Sequence, residues 1–250
     1  MLVKNLYLGF KFAFSYFSIL PVKLSNSDDL SSKSILASML LFFPLVGVVL
    51  GSLSVGLFLT LESLSWYGAV ISAIFYMVLY GFLHTEAVLD VVDAIYASHS
   101  GKDSYEVIKD STIGAMGMLW AFGYVLVKVS GIVFLFMHSA FLEFISILVI
   151  SRLSLLALFY TQTFRSSFAT QLKESFNFKY LVASFTLFTL LGLGFMGLNF
   201  LLLLTMGLLI AFSLVKFLNV KLGFINGDVL GTVLESVEIL LMILVALLWL

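Results

Sequence analysis

The chain has 250 residues, of which 62% are hydrophobic and 11% charged, and its formal net charge is −1. Soluble domains lie nearer half apolar and a quarter charged, so the composition describes an all-α, polytopic membrane bundle. There is no cysteine, which excludes disulfides, thiolate metal sites and a cysteine nucleophile, and no basic stripe points to nucleic acid.

The first apolar segment, "NLYLGFKFAFSYFSILPV" (5–22), carries Lys11 at its middle and stops at Pro21. It is short and rich in aromatics, which predicts an interfacial or re-entrant element. It also lacks the small-residue cleavage site of a secretory signal. A bilayer core needs roughly 20 apolar residues per helix. Stretches near 37–61, 67–89, 114–137, 141–163, 180–197, 199–217 and 230–250 meet that need, predicting about seven spans.

The loops between them are asymmetric. Lys23 and Lys33 precede the first span; Lys102 and Lys109 lie in the loop at 90–112. Arg165, Lys173 and Lys179 lie at 164–179, and Lys216 and Lys221 at 216–229. The alternate loops, around 62–66, 138–140 and 198, carry no Lys or Arg. The positive-inside rule therefore puts every basic loop in the cytoplasm, together with most of the polar chemistry.

The end of the second span is where charge gathers. "LYGFLHTEAVLDVVDAIYASHS" (79–100) sets Glu86, Asp90 and Asp93 at spacings of four and three, on one helical face, two residues beyond His84. Like charges at this spacing repel. A divalent cation is the economical compensator, and magnesium commonly bridges one or two carboxylates to substrate phosphates. The bland alternative is a solvated helix end, with His84 a satisfied polar residue.

Further on, "KDSTIGAMG" (109–117) offers Lys109, Asp110 and two glycines, or simply a charged loop with small residues for packing. Lys128 and Arg152 are the two cations inside spans. In "NGDVLGTVLESVE" (226–238), Asp228 would either cap the last helix or face a ligand. Glu235 and Glu238 enter an apolar span, where an unpaired carboxylate is costly. Lys128 and Arg152 are their natural partners, or else phosphate ligands in their own right.

Six fragments in order resemble one family. "SYFSILPV" (15–22) is similar to S-F-x-T-R-L-P-V, and "FPLVGVVLG" (43–51) matches F-P-L-x-G-x-x-x-G. "FLHTEAVLDVVDA" (82–94) is similar to G-x-H-L-D-G-L-A-D-x-x-D-G, and "IKDSTIGAMG" (108–117) to M-R-D-S-x-x-G-x-x-G. A Ser-Arg pair falls at Ser151-Arg152, and "NGDVLGTVLESVE" is similar to T-G-D-x-L-G-A-x-x-E-x-x-E. The set resembles the cobalamin synthases, or adenosylcobinamide-GDP ribazoletransferases. The chain departs from the pattern at Glu86-Ala87 (for Asp-Gly), Phe82 and Ala94 (for Gly), Ile19 and Lys109 (for Arg).

The resemblance implies a single membrane-embedded transferase domain over 1–250. Its reaction would move adenosylcobinamide phosphate from adenosylcobinamide-GDP to α-ribazole or its 5′-phosphate, releasing GMP. Magnesium would be held by Glu86, Asp90 and Asp228. Asp90 and Asp93 would be catalytic, Asp93 as base, and Lys109 would act on phosphate. His84, Asp110, Lys128, Arg152 and Glu235 would contact substrate. The expected setting is a bacterial or archaeal cell membrane (the inner one in a Gram-negative cell) with the site facing the cytoplasm. A homo-oligomer and other cobalamin-pathway enzymes are the partners it suggests beside lipid. Two rival readings remain at this stage, a transporter and a weakened corrinoid-binding relative.

Overall fold

The computed structural model describes residues 2–25, 28–110 and 112–250; Ser111, inside the 108–117 fragment, lies outside the described residues. Among them are twelve α-helices and no strand. In chain order these are α1 Leu2–Phe17, α2 Lys33–Leu41, α3 Phe43–Thr60, α4 Trp66–Leu79, α5 Leu83–Ser98 and α6 Ser104–Lys109. They continue with α7 Ala115–Met137, α8 Phe141–Thr161, α9 Ser167–Ser175, α10 Phe178–Met196, α11 Leu198–Leu222 and α12 Gly227–Leu248. Six of them (α3, α7, α8, α10, α11 and α12) are long and apolar enough to cross a membrane, and the α4–α5 pair makes a seventh crossing if counted as one broken span. The chain is a multi-pass membrane protein.

Helices α8 and α12 form the centre: 72% and 78% of their spanning windows are buried in protein, against 28% for α7 and 17% for α10 at the lipid-facing rim. Lipid tails are as apolar as leucine, so close packing of small residues has to hold such helices together. The "GVVLG" run of α3 does this against α8. A Cβ at Gly47 would lie 2.9 Å from the Leu148 carbonyl oxygen and from Arg152 Cδ. The missing side chain makes room for an arginine between the two helices.

Two predicted elements change form. The 67–89 span is not straight: it breaks after Leu79 and resumes at Leu83 with a bend of 78°. Gly81 and Phe82 both take left-handed backbone, φ 64° and 55°, which stops α4. The Leu79 carbonyl is capped from outside by the Ile19 N–H at 2.8 Å. The bend sends the acidic stripe off the line of the span. The first predicted span is likewise divided at Phe42 into α2 and α3, with Pro44 in the first turn of α3 where its missing N–H costs nothing. Residues 5–17 of the 5–22 segment lie in the 16-residue α1, which is not among the candidate spans, and residues 18–22 follow it as non-helical chain.

Candidate active site

A cavity of about 280 Å³ lies where α1, α5, α9 and α12 meet, and its lining includes Tyr16, His84, Ser166, Asn226 and Asp228. Four of the six sequence fragments contribute to it: those around Tyr16, Phe43, His84 and Asp228. Asn226 is the cap of α12. Its Oδ1 accepts the Val229 N–H at 3.0 Å, and its Nδ2 donates to Asp228 Oδ2 at 2.7 Å. That arrangement leaves Asp228 free of the capping role and turned to the cavity. Partial burial and then the charge of Asp228 push the Tyr16 hydroxyl above the usual phenol range.

Glu86 is exposed on α5, with Asp90 and Asp93 half-buried on the same stripe. The charges of Asp228, Glu86 and Asp93 all act on Asp90, so α5 and the start of α12 share one negative field. Among the described residues, none of these four carboxylates has a Lys or Arg partner within 4 Å. No three His, Asp or Glu groups among those residues are drawn tightly enough to make a closed metal site.

Asp93 is engaged differently from its neighbours. Its two carboxylate oxygens accept the Gly114 and Gly117 N–H groups, each at 2.7 Å, at the unsatisfied start of α7. A Cβ at either glycine would come within 2.3–2.4 Å of that carboxylate. The two glycines of "STIGAMG" are therefore the seat for Asp93, a use that spacing within the fragment does not reveal. Asp110 lies on the surface and turns back on its own loop. The Thr112 hydroxyl and N–H hold its carboxyl below the ordinary range. Lys109 is exposed, pairs with Glu106 at 3.4 Å and sits 4.1 Å from the Tyr105 ring centroid.

Behind the cavity is a closed network of charge. Lys128 Nζ is 2.5 Å from Glu235 and 2.8 Å from Glu238, and Arg152 Nη1 is 2.6 Å from Glu238. All four side chains are at most 2% exposed, and two cations balance two anions. Tyr76 and Ser151 donate to Glu238, and Tyr80 donates to Glu235 at 2.8 Å. Of the two roles that the sequence left open for Arg152, Lys128 and Glu235, this geometry supplies mutual pairing. None of the three lines the cavity. The link outward is Tyr80, whose ring stacks on the buried His84 with centroids 5.7 Å apart. Tyr76 and Tyr80, one helical turn apart in an apolar run, were the missed members, and that spacing was the only signal for them.

A family model of cobalamin-5-phosphate synthase matches residues 9–246. The chain belongs to the cobalamin-5-phosphate synthase family. It is 28% identical over 94% of its length to an adenosylcobinamide-GDP ribazoletransferase of Clostridium perfringens, covering 96% of that protein. An equally named protein of Brevibacillus brevis is 28% identical over 97% of this chain and 99% of its own. One from Desulforamulus reducens is 25% identical over 91% and 92%. No solved structure gives a significant match. The residues matched by the cobalamin-5-phosphate synthase family, 9–246, include those that line the cavity and those of the ion network.

Proposed function

We propose that this protein transfers adenosylcobinamide phosphate from adenosylcobinamide-GDP to the ribose hydroxyl of α-ribazole or its 5′-phosphate. The hydroxyl oxygen bonds to the phosphorus nearest the corrinoid, the bond from that phosphorus to GMP breaks, and the hydroxyl proton passes to a base. The observation that carries the reading is the uncompensated field shared by Glu86, Asp90 and Asp228, the last of which lines a cavity, in a chain of this family.

These three carboxylates suit magnesium, which keeps several waters and needs only one or two protein carboxylates beside substrate phosphate oxygens. When bound it would neutralise charge on the bridging oxygens. With Glu86 and Asp228 holding the metal, Asp90, which among the described residues accepts no backbone N–H, would be the better-placed base. Asp93, with both oxygens engaged by the Gly114 and Gly117 N–H groups, holds the start of α7. His84 orients substrate from the cavity wall, anchored by Tyr80. The basic loops favour a cytoplasmic site, with GMP released there. The neutralised network behind the cavity supports a transferase over a transporter, since its buried charges pair with one another rather than lining a pathway.

Purified protein incubated with adenosylcobinamide-GDP, α-ribazole and magnesium should yield GMP and a corrinoid carrying the ribazole in equal amounts. Corrinoid flux into proteoliposomes with no GMP formed would refute the reading.

A further inference from the structure

Phosphate chemistry calls for accessible cations, and Arg152 is buried in the core and paired there with Glu238. Another arginine is available. Arg165 places its guanidinium 3.8 Å from the Tyr105 ring centroid, and Lys109 Nζ lies 4.1 Å from the same centroid. The two charges are thus separated by no more than the sum of those distances. Tyr105 is itself held edge-on against Phe224, centroids 5.1 Å apart. Lys109 has one surface pair with Glu106, of the exposed kind that contributes little. Among the described residues Arg165 has no carboxylate partner within 4 Å.

Both cations are positioned by the elements that build the cavity. The Arg165 N–H donates to the Ile225 carbonyl at 2.8 Å, directly before the Asn226–Asp228 turn, and the next residue, Ser166, lines the cavity. Lys109 ends α6, which packs against α5, the helix that carries His84 and Asp93. Two like charges gathered on one ring repel each other until an anion joins them. Arginine's planar fork on an aromatic face presents its edge donors to phosphate oxygens.

We infer that Arg165, Tyr105 and Lys109 form a diphosphate-binding site for the nucleotide-activated substrate, a nucleoside diphosphate ester. The inference rests on the transferase reading for its substrate but not for its ligand class. A lipid headgroup carries the same phosphate chemistry, so the test separates the two sources.

GDP with magnesium is titrated calorimetrically into full-length protein in neutral phosphatidylcholine nanodiscs, and again in nanodiscs with added phosphatidylglycerol. Arg165→Gln should weaken GDP binding at least about tenfold in both, while Arg165→Lys, keeping charge but losing the fork, falls between. In turnover, KM for adenosylcobinamide-GDP should rise in step, with KM for α-ribazole unchanged. GDP binding within twofold of wild type for Arg165→Gln overturns the site. So does a difference seen only with phosphatidylglycerol, which would assign the cations to lipid. So does an equal loss for both substrates with a lowered melting temperature. Wild type that binds GDP through Arg165 but makes no GMP would defeat the transferase reading and leave this site standing.

Discussion

Glu238→Gln is the sharpest test of the buried network. Its carboxylate receives Lys128 at 2.8 Å, Arg152 at 2.6 Å, Ser151 at 3.0 Å and Tyr76 at 3.1 Å. Glutamine preserves the shape and removes the charge. The core is then left with two cations and only Glu235, an uncompensated positive charge in a fully buried site. Removing one partner of a buried pair costs about 3–5 kcal/mol, because the remaining charge stays desolvated. Glu238→Leu with Arg152→Met removes one charge of each sign and leaves the Lys128–Glu235 pair intact. This double variant should be less damaging than the sum of its singles by at least about 2 kcal/mol. Reversible unfolding in mixed micelles, followed by tryptophan fluorescence, reads wild type, Glu238→Gln, the two singles and the double variant. A Glu238→Gln loss below about 1 kcal/mol, or strict additivity in the double variant, would refute the claim that the network is a closed, neutral unit.

Three further outcomes are expected. Glu86→Gln and Asp90→Asn should each lower turnover at least about tenfold, near 1.4 kcal/mol, and Glu86→Gln should also raise the magnesium needed for half-maximal rate; unchanged rates would return the stripe to a solvated helix end. Gly231→Ala should impair folding or turnover, because a Cβ there lies 2.7 Å from the Ala87 Cβ; adding Ala87→Gly should restore much of the loss, and no rescue would rule that contact out as the cause. Single cysteines at Ser100 and Ser166 should resist an impermeant thiol reagent in intact cells while one at Ser65 reacts, and the reverse pattern would invert the topology.

The sequence by itself determined what depends on local composition. Runs of apolar residues mark the spans because hydrocarbon requires them. Lysine and arginine in alternate loops set a sidedness, and the spacing of Glu86, Asp90 and Asp93 set a shared helical face. These signals lie within a few residues of one another. Tertiary structure decided what depends on partners. Lys128 meets Glu235 across 107 positions and Arg152 meets Glu238 across 86, so no window of sequence distinguishes buried pairs from phosphate ligands. The 78° break at Tyr80–Phe82 hides inside an unbroken apolar run, because left-handed backbone at Phe82 is a choice of packing rather than of residue type. Asp93, by spacing one of three acids on the stripe and by resemblance the base, is set apart by the Gly114 and Gly117 N–H groups at the start of α7. Side-chain identity fixes which charges exist, and the fold fixes which of them are already neutralised and which still face a ligand.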